Sequence, residues 1–514
     1  MAFEMNIVKY LHYNAKEFGD CIAYVYNEIE YSWKEIDILS NKAAIILEKN
    51  GIQKLKHVGI YGMNSIEWIV FYYGLLKVGA VPVLINYEYK TKELERILDA
   101  FDIKILLKGE LKSDVGENSV FDLRKIIDII QCFSWMKREK YEENNIEYEK
   151  YIFPDDTACI IFTSGTTSIP KGVVLSHRSI LGNGCAMADQ IGWTREDCLL
   201  LAMPMYHCSG LTAGILMAMC HQTKTVIMNY FTPALVLKNL QKYRCTAFSA
   251  VPSMLLILEQ LSEFENADFS FLDSGTVAGS TFSEVDYNRI VKKLKMFRLQ
   301  PCYGQTETAP IVTMATLEDS LEKKSKTVGK ALPGVKIRIW GLEEDRELES
   351  GEIGEIQVQT PYVMKGYYRN KIAESKKWTK DGWLKTEDIG YLDSDQYLYF
   401  IGRIKDIIIR GGENITPFEV EQTILNFGDC IEEVKVVGVP DRILGENVAA
   451  IIKVKNKDYD ILKPLKIYLN NHLTRFKIPR YYIFVEKFPM TGTGKIDLAQ
   501  LKTFAKDYVS NQKD

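Results

Sequence analysis

The chain has 514 residues, too long for one compact core, so two or more domains are expected. Apolar residues make up 46% and charged residues 26%, ordinary for a soluble globular chain, and a net charge of −4 with dispersed lysine and arginine implies no nucleic-acid face. Ten cysteines without a Cys-x-x-Cys pair argue against a zinc ribbon and a disulfide framework, and suit a reducing, cytoplasmic compartment.

Met1 to Glu17 lacks the basic start, apolar core and cleavage site of a signal peptide. Ser32 and Glu35 predict a capped helix start. His57 to Tyr61 reads as a strand, Glu67 to Val78 as a helix and Ala80 to Leu84 as a strand. Such alternation predicts an α/β fold with helices on the faces of a sheet. Trp68 to Ile85 is strongly apolar but contains Lys77, Gly79 and Pro82, so a buried helix and strand are expected and no membrane span. Lys137 to Lys150 reads as a solvated connection. A second α/β region runs from Cys198 to about Leu299. From Val328 the chain turns β-rich, with strands expected at Val335–Trp340, Ile353–Val358 and Tyr397–Ile401. After Arg403 a small α+β region follows. It is read as strand Asp406–Ile409, helix Pro417–Leu425, strands Glu433–Val439 and Val448–Val454, helix Ile461–Leu473 and strand Tyr482–Glu486, then a glycine-rich loop ending at Lys495. The expected division is a domain over 1–402, a hinge at 403–406 and a mobile domain over 407–514. Ser510 to Asp514 carries no peroxisomal or retention tag.

The most informative stretch is Thr163 to Gly172, Thr-Ser-Gly-Thr-Thr-Ser-Ile-Pro-Lys-Gly, following the strand-like Ala158–Phe162. Hydroxyls, glycines and free backbone N–H groups form a donor surface suited to phosphate, and Lys171 adds a point charge. It is not a nucleotide P-loop. Lys171 precedes Gly172, Pro170 stands where the second glycine would be, and Val173–Leu175 is β-rich where a helix should start.

This loop resembles the phosphate loop of the adenylate-forming superfamily, which includes acyl-CoA synthetases, luciferases and peptide-synthetase adenylation domains. Met203-Pro204-Met205-Tyr206-His207 is similar to its acyl-site loop, and Tyr303-Gly304-Gln305-Thr306-Glu307-Thr308 to its adenine and magnesium motif. Trp383–Asp388 and Gly402–Asp406 resemble the ribose and hinge motifs, and Gly492-Thr493-Gly494-Lys495 the catalytic-lysine loop. The Ala278-Gly279-Ser280 form looks most like medium-chain fatty acyl-CoA synthetases.

The resemblance implies a large α/β domain with a β-rich part and a small mobile α+β domain. It implies carboxylate plus ATP giving acyl-AMP and pyrophosphate, then transfer to the thiol of coenzyme A. Attack of a carboxylate on the α-phosphorus joins two anions, so positive charge at the transition state is the main requirement. Lys495 is the first choice for that charge. Thr163, Ser164, Gly165, Thr166, Thr167 and Lys171 would hold the phosphates, and Thr306 would bond the α-phosphate. Glu307 would contact Mg2+, which takes few protein carboxylates beside phosphate oxygens. Tyr303 and Gly304, with Ala278, Gly279 and Ser280, would flank adenine. Asp388 and Arg403 would clamp the ribose. Lys405 would be the pivot that brings Gly411 and Gly412 to the pantetheine arm in the second half-reaction. His207 would sit at the mouth of the acyl pocket. A metal role for it is disfavoured, as is a Cys208–His207 nucleophile pair, because neighbours on an extended segment point opposite ways. Ser168 and Glu387 stand where relatives commonly have glycine.

The segments expected to line the acyl pocket are Met205–Ile215, Ala250–Met254, Ser274–Gly279 and Cys302–Met314, and none contains lysine or arginine. A second substrate carboxylate would lie unpaired there, which disfavours dicarboxylates. Gly210-Leu211-Thr212-Ala213 occupies the place of the amine-holding aspartate segment of peptide synthetases, which disfavours amino acids. An apolar monocarboxylic acid remains, of medium chain length, with aryl acids as alternative. Met205, Met254 and Met314 would adapt to such a ligand, and Gly210, Ala213 and Gly275 would leave depth. An acyl carrier protein is the alternative thiol source and would need a basic patch near Ile431–Val439 or Arg475–Arg480. Monomer and homodimer both stay open.

Overall fold

The computed structural model describes residues 5–112, 125–138, 148–163, 170–280, 282–428, 430–455, 461–491 and 495–511. It divides into two compact units. One comprises Met1–Lys336 and Gln359–Gly382, the other Ile337–Val358 and Trp383–Asp514.

The first unit contains two large sheets. The seven-stranded sheet runs in the order Gly366–Tyr367, Lys171–Ser176, Thr157–Thr163, Val81–Ile85, His57–Tyr61, Ile105–Lys108, Lys125–Asp128. Its last five strands are parallel, and the first three pair antiparallel. The nine-stranded sheet runs Lys330–Ala331, Ile311–Met314, Arg298–Gly304, Ser274–Val277, Ala247–Phe248, Cys198–Leu201, Lys224–Ile227, Ile22–Tyr26, Ile29–Ser32. Its strands from Arg298–Gly304 to Ile22–Tyr26 are parallel, while Ile311–Met314 pairs antiparallel with both neighbours. Parallel strands need both faces covered, and the central ones, such as Val81–Ile85 and Cys198–Leu201, are accordingly buried along their whole length.

The expected capping box forms. Ser32 and Glu35 satisfy each other's backbone N–H groups at the start of helix Trp33–Lys49. Helix Ile66–Val78 is buried on almost every side, as its unbroken apolar run requires, and Gly79 ends it in the left-handed region. Lys77 points into the protein and donates to Asp37 Oδ1 at 2.5 Å and Asn41 Oδ1 at 2.6 Å. No described helix is long and apolar enough to cross a membrane.

Two sequence expectations change. Lys137 is exposed, as expected, but lies on a helix and not in a connection. It ends helix Ile129–Arg138, donates to the Tyr31 hydroxyl at 2.8 Å and lies over the Tyr31 and Phe133 rings; residues 139–147 lie outside the described residues. One cysteine pair also meets. Cys185 of helix His177–Ile191 and Cys220 of helix Met217–Cys220 are disulfide-bonded, while the other eight cysteines are free. Their 35-residue separation gave no local signal, because helix packing brings them together.

His177 is fully buried at the start of its helix, where its Nδ1 accepts from the Ile7 N–H at 3.4 Å. Burial pushes its pKa down from 6.5 to about 3. The folded chain therefore keeps it neutral while the unfolded chain takes a proton. Stability is complete above the unfolded value and is lost as pH falls from about 6.5 toward about 3, by about 1.4 kcal/mol per pH unit for this group. Urea unfolding at pH 7 and pH 5 should differ by about 2 kcal/mol on this account. His177→Asn should remove that part of the difference, and an unchanged pH slope would exclude His177 as its source.

The second unit holds a four-stranded sheet, ordered Lys336–Trp340, Gly354–Gln359, Leu384–Leu392, Leu398–Arg403. It also holds a five-stranded sheet in which Glu413–Ile415, Ile408–Arg410, Gly445–Val454 and Ile431–Asp441 are successive and Tyr481–Phe484 joins Gly445–Val454 in parallel. Helices Pro417–Leu425 and Leu462–His472 cover one face with Val420, Ile424, Leu465 and Leu469. Helix Leu498–Asn511, not anticipated from the sequence, covers the other with Leu501, Ala505 and Val509. Asp497 caps it by accepting from the Ala499 and Gln500 N–H groups.

Candidate active site

The four segments expected to line the acyl pocket share one structural cause. Cys198–Leu201, Ala247–Phe248, Ser274–Val277 and Arg298–Gly304 are parallel neighbours. Their carboxyl ends therefore face the same way and deliver Met203–His207, Ala250–Met254, Ala278–Ser280 and Tyr303–Glu307 to one side of the sheet. Open α/β sheets bind ligands beyond the carboxyl ends of their strands.

The loop Met203–His207 is held by a residue that sequence reading missed. Asn64 follows the strand His57–Tyr61 and is buried. Its Nδ2 donates to Met203 O at 2.9 Å and Met228 O at 3.1 Å, and its Oδ1 accepts from Met205 N–H at 2.9 Å. An asparagine just before the helix cap Ser65 was the only available signal. His207 then caps the short turn Cys208–Gly210, its Nδ1 accepting from Ser209 N–H at 3.3 Å. A wide π-helical stretch, Leu211–Leu216, follows. Such wide turns favour functional sites.

Two glycines expected to give the pocket depth do something else. A Cβ on Gly210 would collide with the Pro204 carbonyl, and one on Gly275 with the Phe248 carbonyl. Their small size is used by close backbone packing. Met205, Met254 and Met314 are all buried in this region.

Thr163 and Lys171 face each other across an antiparallel strand pair, and the β-rich Val173–Leu175 forms part of the second strand, Lys171–Ser176. Ser164, Gly165, Thr166, Thr167 and Ser168 between them lie outside the described residues. The Lys171 ammonium is 5.1 Å from the centre of the Tyr367 ring. Thr306 and Glu307 form a buried 3-10 turn after Tyr303 and Gly304, steadied by Gln305 N–H donating to Thr308 Oγ1. Glu307 Oε1 accepts from the Tyr367 hydroxyl at 2.6 Å. Burial pushes the Cys208 thiol up, the Glu307 charge adds to this, and a hydrogen bond with the Thr306 side chain opposes it. A protonated, buried thiol is no nucleophile, in line with the sequence reading. Ala278 is half-buried, while Gly279 and Ser280 are exposed; Gly279 has φ of 88°, a conformation suited to glycine.

In the second unit Asp388 and Arg403 are paired across adjacent strands, with Arg403 Nε 3.2 Å from Asp388 Oδ1. Asp388 is buried and its N–H donates to Thr386 Oγ1. Glu387 adopts φ of 63°, a left-handed conformation that glycine takes up most readily. Lys405 lies in the 3-10 turn Ile404–Asp406 directly after Arg403. Gly411 and Gly412 are the two central residues of a hairpin, with φ of 63° and 91°. The turn itself demands glycine there. Gly492, Thr493 and Gly494 lie outside the described residues, but Thr491 and Lys495 close the loop through Thr491 N–H to Lys495 O at 2.6 Å. Burial, and after it the Arg403 charge, push the Lys495 ammonium down to about 8. The second unit thus brings Asp388, Arg403 and Lys495 together, and the first brings Lys171, Thr306 and Glu307 together.

A magnesium ion can be weighed against these groups. Among the described residues no cluster of three or more histidine, cysteine or carboxylate groups could hold a metal alone. One buried carboxylate fits an ion that arrives with phosphate oxygens and waters as its other ligands.

The sequence matches the family described as AMP-binding enzyme over residues 11–368, and its C-terminal domain over residues 419–495. The chain belongs to the AMP-binding enzyme family. YngI of Bacillus subtilis (strain 168), provisionally named an acyl-CoA synthetase, is 32% identical over 94% of this chain and 93% of its own. The mitochondrial medium-chain acyl-CoA ligase ACSF2 of Mus musculus is 28% identical over 95% of this chain and 85% of its own. The o-succinylbenzoate CoA synthetase MenE of Bacillus subtilis, solved with its acyl-adenylate intermediate, superposes with a TM-score of 0.83 at 28% identity, over 96% of this chain and 97% of that one. The solved MenE structure shares the mixed α/β architecture of the chain, a large N-terminal and a smaller C-terminal part.

Proposed function

We propose that the protein is an AMP-forming acid–thiol ligase that activates an apolar monocarboxylic acid of medium chain length and passes the acyl group to coenzyme A. Family membership and the full-length likeness to acyl-CoA ligases support the reaction. The observation that favours the acid is the composition of four segments carried by neighbouring parallel strands, which hold not one lysine or arginine. The named activity of the mouse relative points the same way.

In the first half-reaction a carboxylate oxygen attacks the α-phosphorus of ATP and pyrophosphate leaves. Lys171 and the loop from Thr163 bind the phosphates. Thr306 bonds the α-phosphate, and Lys495 bridges the two anions. Asp388 and Arg403 hold the ribose, while Tyr303 and Ala278–Ser280 flank adenine. Glu307 would hold Mg2+, which when bound neutralises phosphate charge. In the second half-reaction the thiol attacks the acyl carbonyl and AMP leaves. A turn about Lys405 withdraws Lys495 and presents Gly411 and Gly412 to the pantetheine arm, and His207 gates the acyl carbonyl. The reaction uses cytoplasmic ATP and coenzyme A.

A panel of acids tests the substrate class. Each buried methylene is worth about 0.8 kcal/mol, or about fourfold. kcat/KM should therefore climb steeply from acetate toward octanoate and level off when the pocket is filled. With Gly210 and Gly275 occupied by backbone contacts, the methionines set that limit. A kcat/KM for acetate or malonate above that for octanoate would contradict the assignment, and a preference for benzoate would move it to aryl acids.

A further inference from the structure

Glu307 and Lys171 come from separate sequence motifs, yet one side chain touches both. Tyr367 lies 60 residues beyond Glu307, on the two-residue strand Gly366–Tyr367 that pairs with Val173–Val174. Its hydroxyl donates to Glu307 Oε1 at 2.6 Å, and its ring lies 5.1 Å from the Lys171 ammonium. The backbone around it is fastened on both sides. Met364 N–H donates to Glu307 O, Lys365 N–H to Val174 O and Tyr368 N–H to Gly172 O, each at 2.8 Å. Tyr367 and Glu307 are both buried.

We propose that Tyr367 is a positioning residue for the nucleotide site, its hydroxyl fixing the Glu307 carboxylate and its ring seating the Lys171 ammonium. The inference rests on the reading of Glu307 as the magnesium contact. A hydroxyl–carboxylate bond is charge-assisted and short, so it fixes the carboxylate plane and turns the second oxygen to a cation. Outer partners of this kind are worth 10- to 100-fold in metal affinity. The ring attracts the lysine through its negative face and holds the ammonium in place before phosphate arrives. One residue therefore aligns the two positive charges that the triphosphate meets in this unit.

The test is calorimetric ATP binding to the full chain, with Mg2+ titrated in one series and EDTA present in the other. Tyr367→Phe keeps the ring and loses only the hydroxyl. It should weaken the Mg2+-dependent gain in ATP affinity about tenfold or more and leave metal-free ATP binding unchanged. Tyr367→Leu should weaken both, because Lys171 loses its seat as well. The thermal midpoint of the ligand-free Phe variant should match the parent, which separates positioning from simple packing. An unaltered Mg2+ dependence in Tyr367→Phe, with a clear loss in Glu307→Gln, would overturn this inference alone. An unaltered Mg2+ dependence in Glu307→Gln would overturn the metal reading and the inference together.

Discussion

Lys495→Ala should lower acyl-adenylate formation by about 10²- to 10³-fold, the usual effect of removing one group aimed at developing charge. Thioester formation from supplied acyl-AMP should be spared. Only the first half-reaction brings two anions together, so only that step needs the ammonium between them. The site also sets a pH limit. Burial and the neighbouring Arg403 push Lys495 down to about 8, so the ammonium is lost as pH rises through that value in the free enzyme. kcat/KM for adenylation should therefore fall above about pH 8, since it reports the free enzyme. Pyrophosphate release measured from pH 7 to pH 10 checks this, beside hydroxamate trapping of the adenylate. Equal loss of both half-reactions in Lys495→Ala would count against alternation of roles.

The largest expected effect on stability is that of Lys77→Met. Lys77 and Asp37 form a buried ion pair, with His12 Nδ1 3.3 Å from the other Asp37 oxygen. Burial alone would raise the Asp37 carboxyl. The His12 hydrogen bond and the Lys77 charge outweigh it and hold the carboxyl below its ordinary value. Removing Lys77 strands a charge in the contact between helices Trp33–Lys49 and Ile66–Val78, at a cost of about 3–5 kcal/mol. The double variant Lys77→Met, Asp37→Leu should recover most of the loss, because it removes the stranded carboxylate too. Urea midpoints of the single and double variants decide this. A single variant as stable as the parent would show that the pair contributes nothing.

Local structure was legible in the sequence wherever it depends on residue type within one short segment. The strand after Lys171 was readable because Val173–Leu175 is β-rich. The capped start at Ser32 and the buried helix Ile66–Val78 were readable from a local motif and an unbroken apolar run. Contacts set by long-range pairing were not. Tyr367 reaches Glu307 only because two residues pair with the return strand of the phosphate loop, a length too short for any periodic signal. Asn64 reaches Met203 and Met205 across 139 and 141 residues. Gly210 and Gly275 were read as open space because composition does not reveal which neighbour a missing Cβ makes room for. Helix Leu498–Asn511 did carry a local signal, the cap Asp497, which went unread beside the catalytic-loop motif.

Transfer of oxygen from acid to nucleotide tests the central claim most directly. With octanoate carrying ¹⁸O in both carboxylate oxygens, ATP, Mg2+ and coenzyme A, attack on the α-phosphorus moves one labelled oxygen into AMP when the thioester forms. Mass spectrometry should find AMP with a single ¹⁸O, unlabelled pyrophosphate and octanoyl-CoA in equal amount to AMP. Label in inorganic phosphate with ADP as the nucleotide product, or unlabelled AMP, would contradict activation through an acyl-adenylate.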